Sequence, residues 1–165
     1  MSSQIIDGKQ IAKSIRNHIR CQVKKLDFRP GLAVIQIGTD PASTIYVNHK
    51  QKDCEHVGFH SEVIRLPSNT SQKQVIDLVK RLNQSSQIHG ILVQMPMPNH
   101  IDEQIVIDSI LPQKDVDGLG TINLGNLLIG QERILPCTPG GILRLIEKTE
   151  VETEGKRVVC VGRSR

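Results

Sequence analysis

The chain has 165 residues, enough for one ordinary domain with little to spare. Its aromatic residues are Phe28, Tyr46 and Phe59 alone, so the core must be Ile, Leu and Val, as in a parallel sheet covered by helices on both faces. That scarcity argues against a stacking platform for single-stranded nucleic acid, and the dispersed charge of +4 suits at most an anionic small molecule.

Ile11, Ile15, Ile19, Val23 and Leu26 recur at near-helical spacing and predict an amphipathic helix over 9–26. Residues 31–38, GLAVIQIG, form a short β-branched run between glycines and read as a buried strand. Asp40 and Pro41 look like an N-cap and first helical position, and Gly58 like the stop of that helix. FHSEVIRL (59–66) is a second strand, PSNTS a turn, and 72–84 a helix with Val75, Ile76, Val79 and Leu82 inward. IHGILVQ (88–94) is a third strand. Beyond MPMPNH, held extended by Pro96 and Pro98, lie a short helix over 102–111, the KDVDG loop and an irregular NLGNLLIG stretch. Thr138 and Pro139 cap a helix over 139–149. GKRVVCVGRSR then reads as a charged turn, an apolar strand and a glycine turn, the way a dinucleotide-binding domain begins. Repeated strand–helix alternation implies right-handed crossovers and a parallel sheet, with ligands beyond the carboxyl ends of its strands.

Cys21, Cys54, Cys137 and Cys160 show no C-x-x-C spacing, which argues against zinc and disulfide frameworks. MSSQIIDGKQIAKS lacks the apolar stretch of a signal peptide, and no apolar run is long enough to span a bilayer. A cytoplasmic protein with neither a membrane nor a nucleic-acid partner is expected.

The chemistry concentrates in three places. In PASTIYVNHKQK, Tyr46 and Lys50 are four residues apart and share one helix face. Lys50 is either one of many solvated basic residues or a pocket amine whose neutral form, favoured by burial and a cationic substrate, acts as a general base. Tyr46 either packs as core or offers its ring to a flat ligand. Gln94 ends the third strand, where it either satisfies the following turn or orients Lys50. Asp115 and Asp117 either make Asx turns before Gly118 or present a carboxylate to the paired N–H groups of a heterocycle. Tyr-x-x-x-Lys also occurs in short-chain dehydrogenases, but their glycine-rich loop precedes the tyrosine, whereas the only comparable turn here follows it. GTDPAST lacks the Gly-Lys-Ser/Thr of a P-loop.

Taken together, PASTIYVNHKQKDCEHVG, GILVQMPMPNHID, PQKDVDG, ILPCTPGGI and VVCVGRS resemble, in order and spacing, the methylenetetrahydrofolate dehydrogenase/methenyltetrahydrofolate cyclohydrolase family of bacterial bifunctional type. The resemblance spans essentially the whole chain. It implies an α/β folate-binding catalytic domain over 1–138. Residues 139–165 would be a linker helix and the first strand and turn of a truncated Rossmann-type NAD(P)-binding domain. It further implies Lys50 as the catalytic lysine, Tyr46 stacking on the aminobenzoyl ring and Gln94 tuning Lys50. Asp117 would recognise the pterin, Ser43 would lie near the pocket mouth, and Gly162, Arg163 and Ser164 would meet NADP. The implied activity is NADP-dependent oxidation of 5,10-methylenetetrahydrofolate, then hydrolysis to 10-formyltetrahydrofolate, by a homodimer paired through its nucleotide domain. A folate-binding module without dehydrogenase activity is the alternative. One departure stands out: LGTINLGN replaces a segment where many relatives carry His-Pro before the Asn and Arg after the Gly, so Asn126 occupies that Arg position.

Overall fold

The computed structural model describes residues 5–149 and 151–162. In chain order they form α1 (Gly8–Val23), β1 (Gly31–Ile37), α2 (Pro41–Val57), β2 (His60–Leu66), α3 (Gln72–Gln84), β3 (Gly90–Val93), α4 (Glu103–Asp108), α5 (Thr121–Leu128) and α6 (Cys137–Glu147). The strands make one parallel sheet in the order β2-β1-β3. The central strand is β1, and the β2-to-β3 connection through α3 crosses over it.

Alternation along β1 separates two apolar layers. Ala33, Ile35 and Ile37 pack with Val75, Val79 and Leu82 of α3 and Val106 of α4, whereas Val34 joins Val47 of α2 and Leu92 of β3. Each fully buried Ile or Val contributes about 1.5–3 kcal/mol, and both layers are aliphatic, as the scarcity of aromatics requires. Helix α2 begins and ends as its sequence predicts. The Asp40 carboxylate accepts from Ser43 N at 2.7 Å, and Gly58 at φ 91° takes the left-handed cap conformation that an L side chain resists.

Helix α1 ends at Val23 rather than at Leu26 and α4 at Asp108 rather than at Leu111, and three further elements differ from expectation. NLGNLLIG lies largely in α5 rather than in an irregular stretch. Gly125 lowers helix propensity by about 1 kcal/mol, but long-range bonds hold the helix start. The Asp108 carboxylate accepts from Thr121 N at 2.7 Å and Oγ1 at 2.9 Å, and the Asn123 amide donates to Pro112 O and Asp115 Oδ2, both at 2.9 Å. Helix α6 starts at Cys137 after Pro136, without a side-chain cap from Thr138. Pro139 is tolerated inside its first turn, where backbone N–H groups have no intrahelical acceptor. The expected strand in GKRVVCVGRSR is not formed over its described residues. Val158, Val159 and Val161 are exposed and pair with nothing there, and an isolated β segment has no ladder to hold it. Arg163 and Ser164 lie outside the described residues.

Candidate functional site at the carboxyl edge of the sheet

The inward stripe of α2 reads Ser43, Val47, Lys50, Cys54, Val57, spaced four and three residues apart. Two apolar residues and a thiol suit a buried face; a serine and a lysine do not unless partnered. Both find partners just past β3. The Ser43 hydroxyl donates to Met95 O at 3.1 Å, and Lys50 Nζ donates to Gln94 Oε1 at 2.8 Å. The Gln94 amide in turn donates to Met95 O at 2.9 Å, so Ser43 and Gln94 converge on one carbonyl. Gln94 N donates to Ile35 O at 2.8 Å, which extends the β1–β3 ladder by one residue and fixes where its side chain leaves the sheet.

Tyr46 stands one turn before Lys50 and is 59% exposed; the lysine Nζ lies 5.9 Å from its ring centroid. The exposed ring thus has the Lys50 cation over one face and area left for a flat partner. Four of the residues singled out from sequence thus meet here: Tyr46, Lys50, Gln94 and Ser43. Ser43 is buried, with its hydroxyl committed to Met95, so its contribution is to pin α2 to the segment after β3.

The two aspartates divide sharply. Asp115 is 2% exposed; its Oδ1 accepts from Gly118 N at 3.1 Å and its Oδ2 from Gly120 N at 2.8 Å and Asn123 Nδ2 at 2.9 Å. It shapes the loop. The loop itself is seated beside β3 by Ile91 N donating to Lys114 O at 2.7 Å, and the Lys114 ammonium caps the end of α3 on the carbonyls of Leu82, Asn83 and Ser85. Asp117 is half-buried and faces Lys50 and Cys137. Burial raises its carboxyl above the ordinary carboxylate value, the Asp115 charge adds to this, and the Cys137 thiol and Lys50 charge pull it back. Burial, followed by the Asp117 charge, likewise raises the Cys137 thiol.

Cys137 drew no role from sequence, where it was one of four scattered cysteines; the fold brings it to Asp117. Gln36, a lone polar residue inside the apolar run GLAVIQI, is a signal visible in the sequence itself. No group of three or more His, Cys, Asp or Glu able to hold a metal occurs among the described residues. None of their helices is long and apolar enough to cross a membrane. A concavity of about 580 Å³ lies elsewhere, between Ile122, Asn126, Gln131 and Arg133, and its lining includes no carboxylate. The acid–base groups gather instead on the open edge beside Tyr46. Gly162 sits in an exposed segment with open space around it, so the described residues build no dinucleotide site.

The chain is similar to known proteins over nearly its whole length. A bifunctional protein FolD of Moorella thermoacetica is 50% identical over 167 residues, covering 99% of this chain and 60% of that protein. A FolD of Lysinibacillus sphaericus is 48% identical, over 99% of this chain and 59% of its own length. The crystal structure of the Trypanosoma brucei methylenetetrahydrofolate dehydrogenase-cyclohydrolase, complexed with NADP and an inhibitor, superposes with a TM-score of 0.93. It is 36% identical, over 99% of this chain and 58% of that one. The Campylobacter jejuni enzyme gives a TM-score of 0.90 at 39% identity, over 94% of this chain and 56% of that one. The chain thus spans about three-fifths of the length of the curated relatives it matches. Residues 6–117 match the family described as the tetrahydrofolate dehydrogenase/cyclohydrolase catalytic domain, and the chain belongs to that family.

Proposed function

We propose that this chain carries the folate site of a bifunctional methylenetetrahydrofolate dehydrogenase/methenyltetrahydrofolate cyclohydrolase. The observation that carries the reading is the Lys50–Gln94 bond of 2.8 Å beside the open Tyr46 ring, at the carboxyl edge of a parallel sheet. The Tyr46 ring takes the flat aminobenzoyl group, and Asp117 takes the paired N–H groups of the pterin. Lys50 then lies beside the one-carbon bridge between them.

In hydrolysis of 5,10-methenyltetrahydrofolate, water adds to the amidinium carbon. Lys50 in its amine form removes a proton from that water. It then returns a proton to the folate nitrogen released as the ring opens to 10-formyltetrahydrofolate. Gln94 Oε1 holds Nζ in place and favours the ammonium formed between the two transfers. The positive substrate favours the amine at the start. One lysine thereby serves as base and then acid without the substrate moving.

Oxidation of the methylene substrate with NADP belongs to the same reading for the whole protein, as does a homodimer. The described residues do not fit a dinucleotide, since Gly162 lies in an exposed segment with open space around it. A folate-binding module without turnover is the second reading, favoured by the open side of the site at Tyr46. This reading assigns the chain to the cytoplasm.

Lys50→Met is the test. It should abolish catalysed hydrolysis, followed by the loss of methenyl absorbance above the spontaneous rate, while folate binding persists. Catalysed hydrolysis near the wild-type rate would remove Lys50 from the mechanism.

A further inference from the structure

Helix α2 carries both Tyr46 and Lys50, yet its site-bearing half rests on little apolar packing. Its buried residues are Ser43, Val47, Cys54 and Val57. Cys54 and Val57 belong to the far end, where the Gly58 cap lies against Val23 of α1. The turns that carry Tyr46 and Lys50 have Val47 alone, packed with Val34 and Leu92. Apolar contact is non-directional, so one valine holds a helix down without deciding how it is turned about its axis. That turn has to be set, because Lys50 Nζ meets Gln94 Oε1 on another element at 2.8 Å.

Two polar side chains in the first turn supply the direction. Ser43 donates to Met95 O beyond β3 at 3.1 Å. Thr44, the next residue and about 100° further round the helix, is held by the central strand. The Gln36 amide donates to Thr44 Oγ1 at 2.8 Å, and the Thr44 hydroxyl donates its own hydrogen to Asp40 O at 2.9 Å, so towards Gln36 it acts as acceptor. Gln36 is 2% exposed and shares the face of β1 with Val34, the face that α2 covers. Its Oε1 has no donor among the described residues, a cost that an apolar residue in GLAVIQI would avoid. One bond made beside one buried acceptor left unpaired brings little net stability. What it does provide is a second fixed point on α2.

We propose that Gln36 is a positioning residue for the folate-site helix, its bond to Thr44 setting the rotation of α2 that brings Lys50 to Gln94. Ser43 alone would leave the helix free to pivot about the Met95 contact. Ser43 and Thr44 together, tied to two different elements, remove that freedom. The catalytic consequence rests on Lys50 acting as proposed above, whereas the positioning itself can be read without substrate.

Replacing both partners of a buried bond by apolar groups of similar shape is nearly neutral for stability, whereas removing one is not. Gln36→Leu/Thr44→Val should therefore melt within a few degrees of wild type. Its kcat for hydrolysis of methenyltetrahydrofolate should nonetheless fall roughly ten- to a hundredfold, the scale of a displacement of about 1 Å. In the ligand-free chain, nuclear Overhauser contacts between the Lys50 and Gln94 side chains should weaken or vanish. Thr44→Ser keeps the hydroxyl and should keep both the hydrolysis and those contacts. An apolar pair with wild-type contacts or wild-type kcat refutes the proposal, and so does one that fails to fold, since the bond would then be a stability element. Loss of the contacts in Thr44→Ser as well would assign the effect to packing of the Thr44 methyl group and likewise refute it. If the wild-type protein shows no catalysed hydrolysis, the folate reading fails, and the side-chain contacts still decide whether Gln36 positions α2.

Discussion

Asp115 and Asp117 are two residues apart, yet their replacement should fail in opposite assays. Asp115→Ala removes the acceptor of three donors. Gly118 N keeps a 3.3 Å bond to Asp115 O and the Asn123 amide keeps Pro112 O, so Gly120 N is the donor left fully without a partner. One orphaned buried donor and two weakened ones amount to about 2–4 kcal/mol. Among the described residues the Asp117 carboxylate accepts from no backbone N–H, the Cys137 thiol donates to Val116 O at 3.5 Å, and burial works against the carboxylate's charge. Its carboxyl titrates higher in the folded chain than in the unfolded one. Its contribution to stability is therefore fully present below the ordinary value of 3.8 and is lost as pH rises through the folded value. Asp117→Asn, which never ionises, should be at least as stable as wild type at pH 7, with the advantage vanishing below about pH 3.8. In calorimetric titration with a tetrahydrofolate ligand, Asp117→Ala should lose about 1.5–3 kcal/mol of binding through its charge-assisted bonds. Asp115→Ala should lose less binding while the fold holds. Urea unfolding at pH 7 separates the pair. Equal destabilisation by Asp115→Ala and Asp117→Asn, with equal small binding losses for the alanine variants, would return both aspartates to turn-making and refute the division.

Gly31→Ala should destabilise by several kcal/mol, since the new Cβ would stand 1.9 Å from Gln87 O, a backbone atom that cannot swing aside; a melting temperature within a few degrees of wild type would contradict this. The 165-residue chain expressed alone should show no NADP affinity and no NADPH formation at about 340 nm with methylenetetrahydrofolate in excess, because nicotinamide must be held within roughly 3–3.5 Å of the reacting carbon. Turnover by the purified chain would show that the described residues suffice. Light scattering of the same chain should give a monomer; a stable symmetric dimer would place the homodimer interface within it.

Much of this protein was legible in its residues because the signals are local. The Asp40–Pro41 start and Gly58 stop of α2, the apolar strands at 31–37 and 90–93, and the Tyr46/Lys50 spacing all follow from a few neighbouring positions. The aliphatic composition likewise dictated two layers around a buried parallel sheet. Tertiary structure decided whatever depends on partners distant in sequence. Helix α5 forms despite Gly125 because Asp108 and Asp115 hold its first turn. Asp115 and Asp117 are the same residue type in one loop, and only the approach of Gly120, Asn123 and Cys137 separates loop-maker from site-facing carboxylate. VVCVG has the composition of a strand but forms none over its described residues, because β structure requires a neighbour to pair with and a run of valines cannot supply its own.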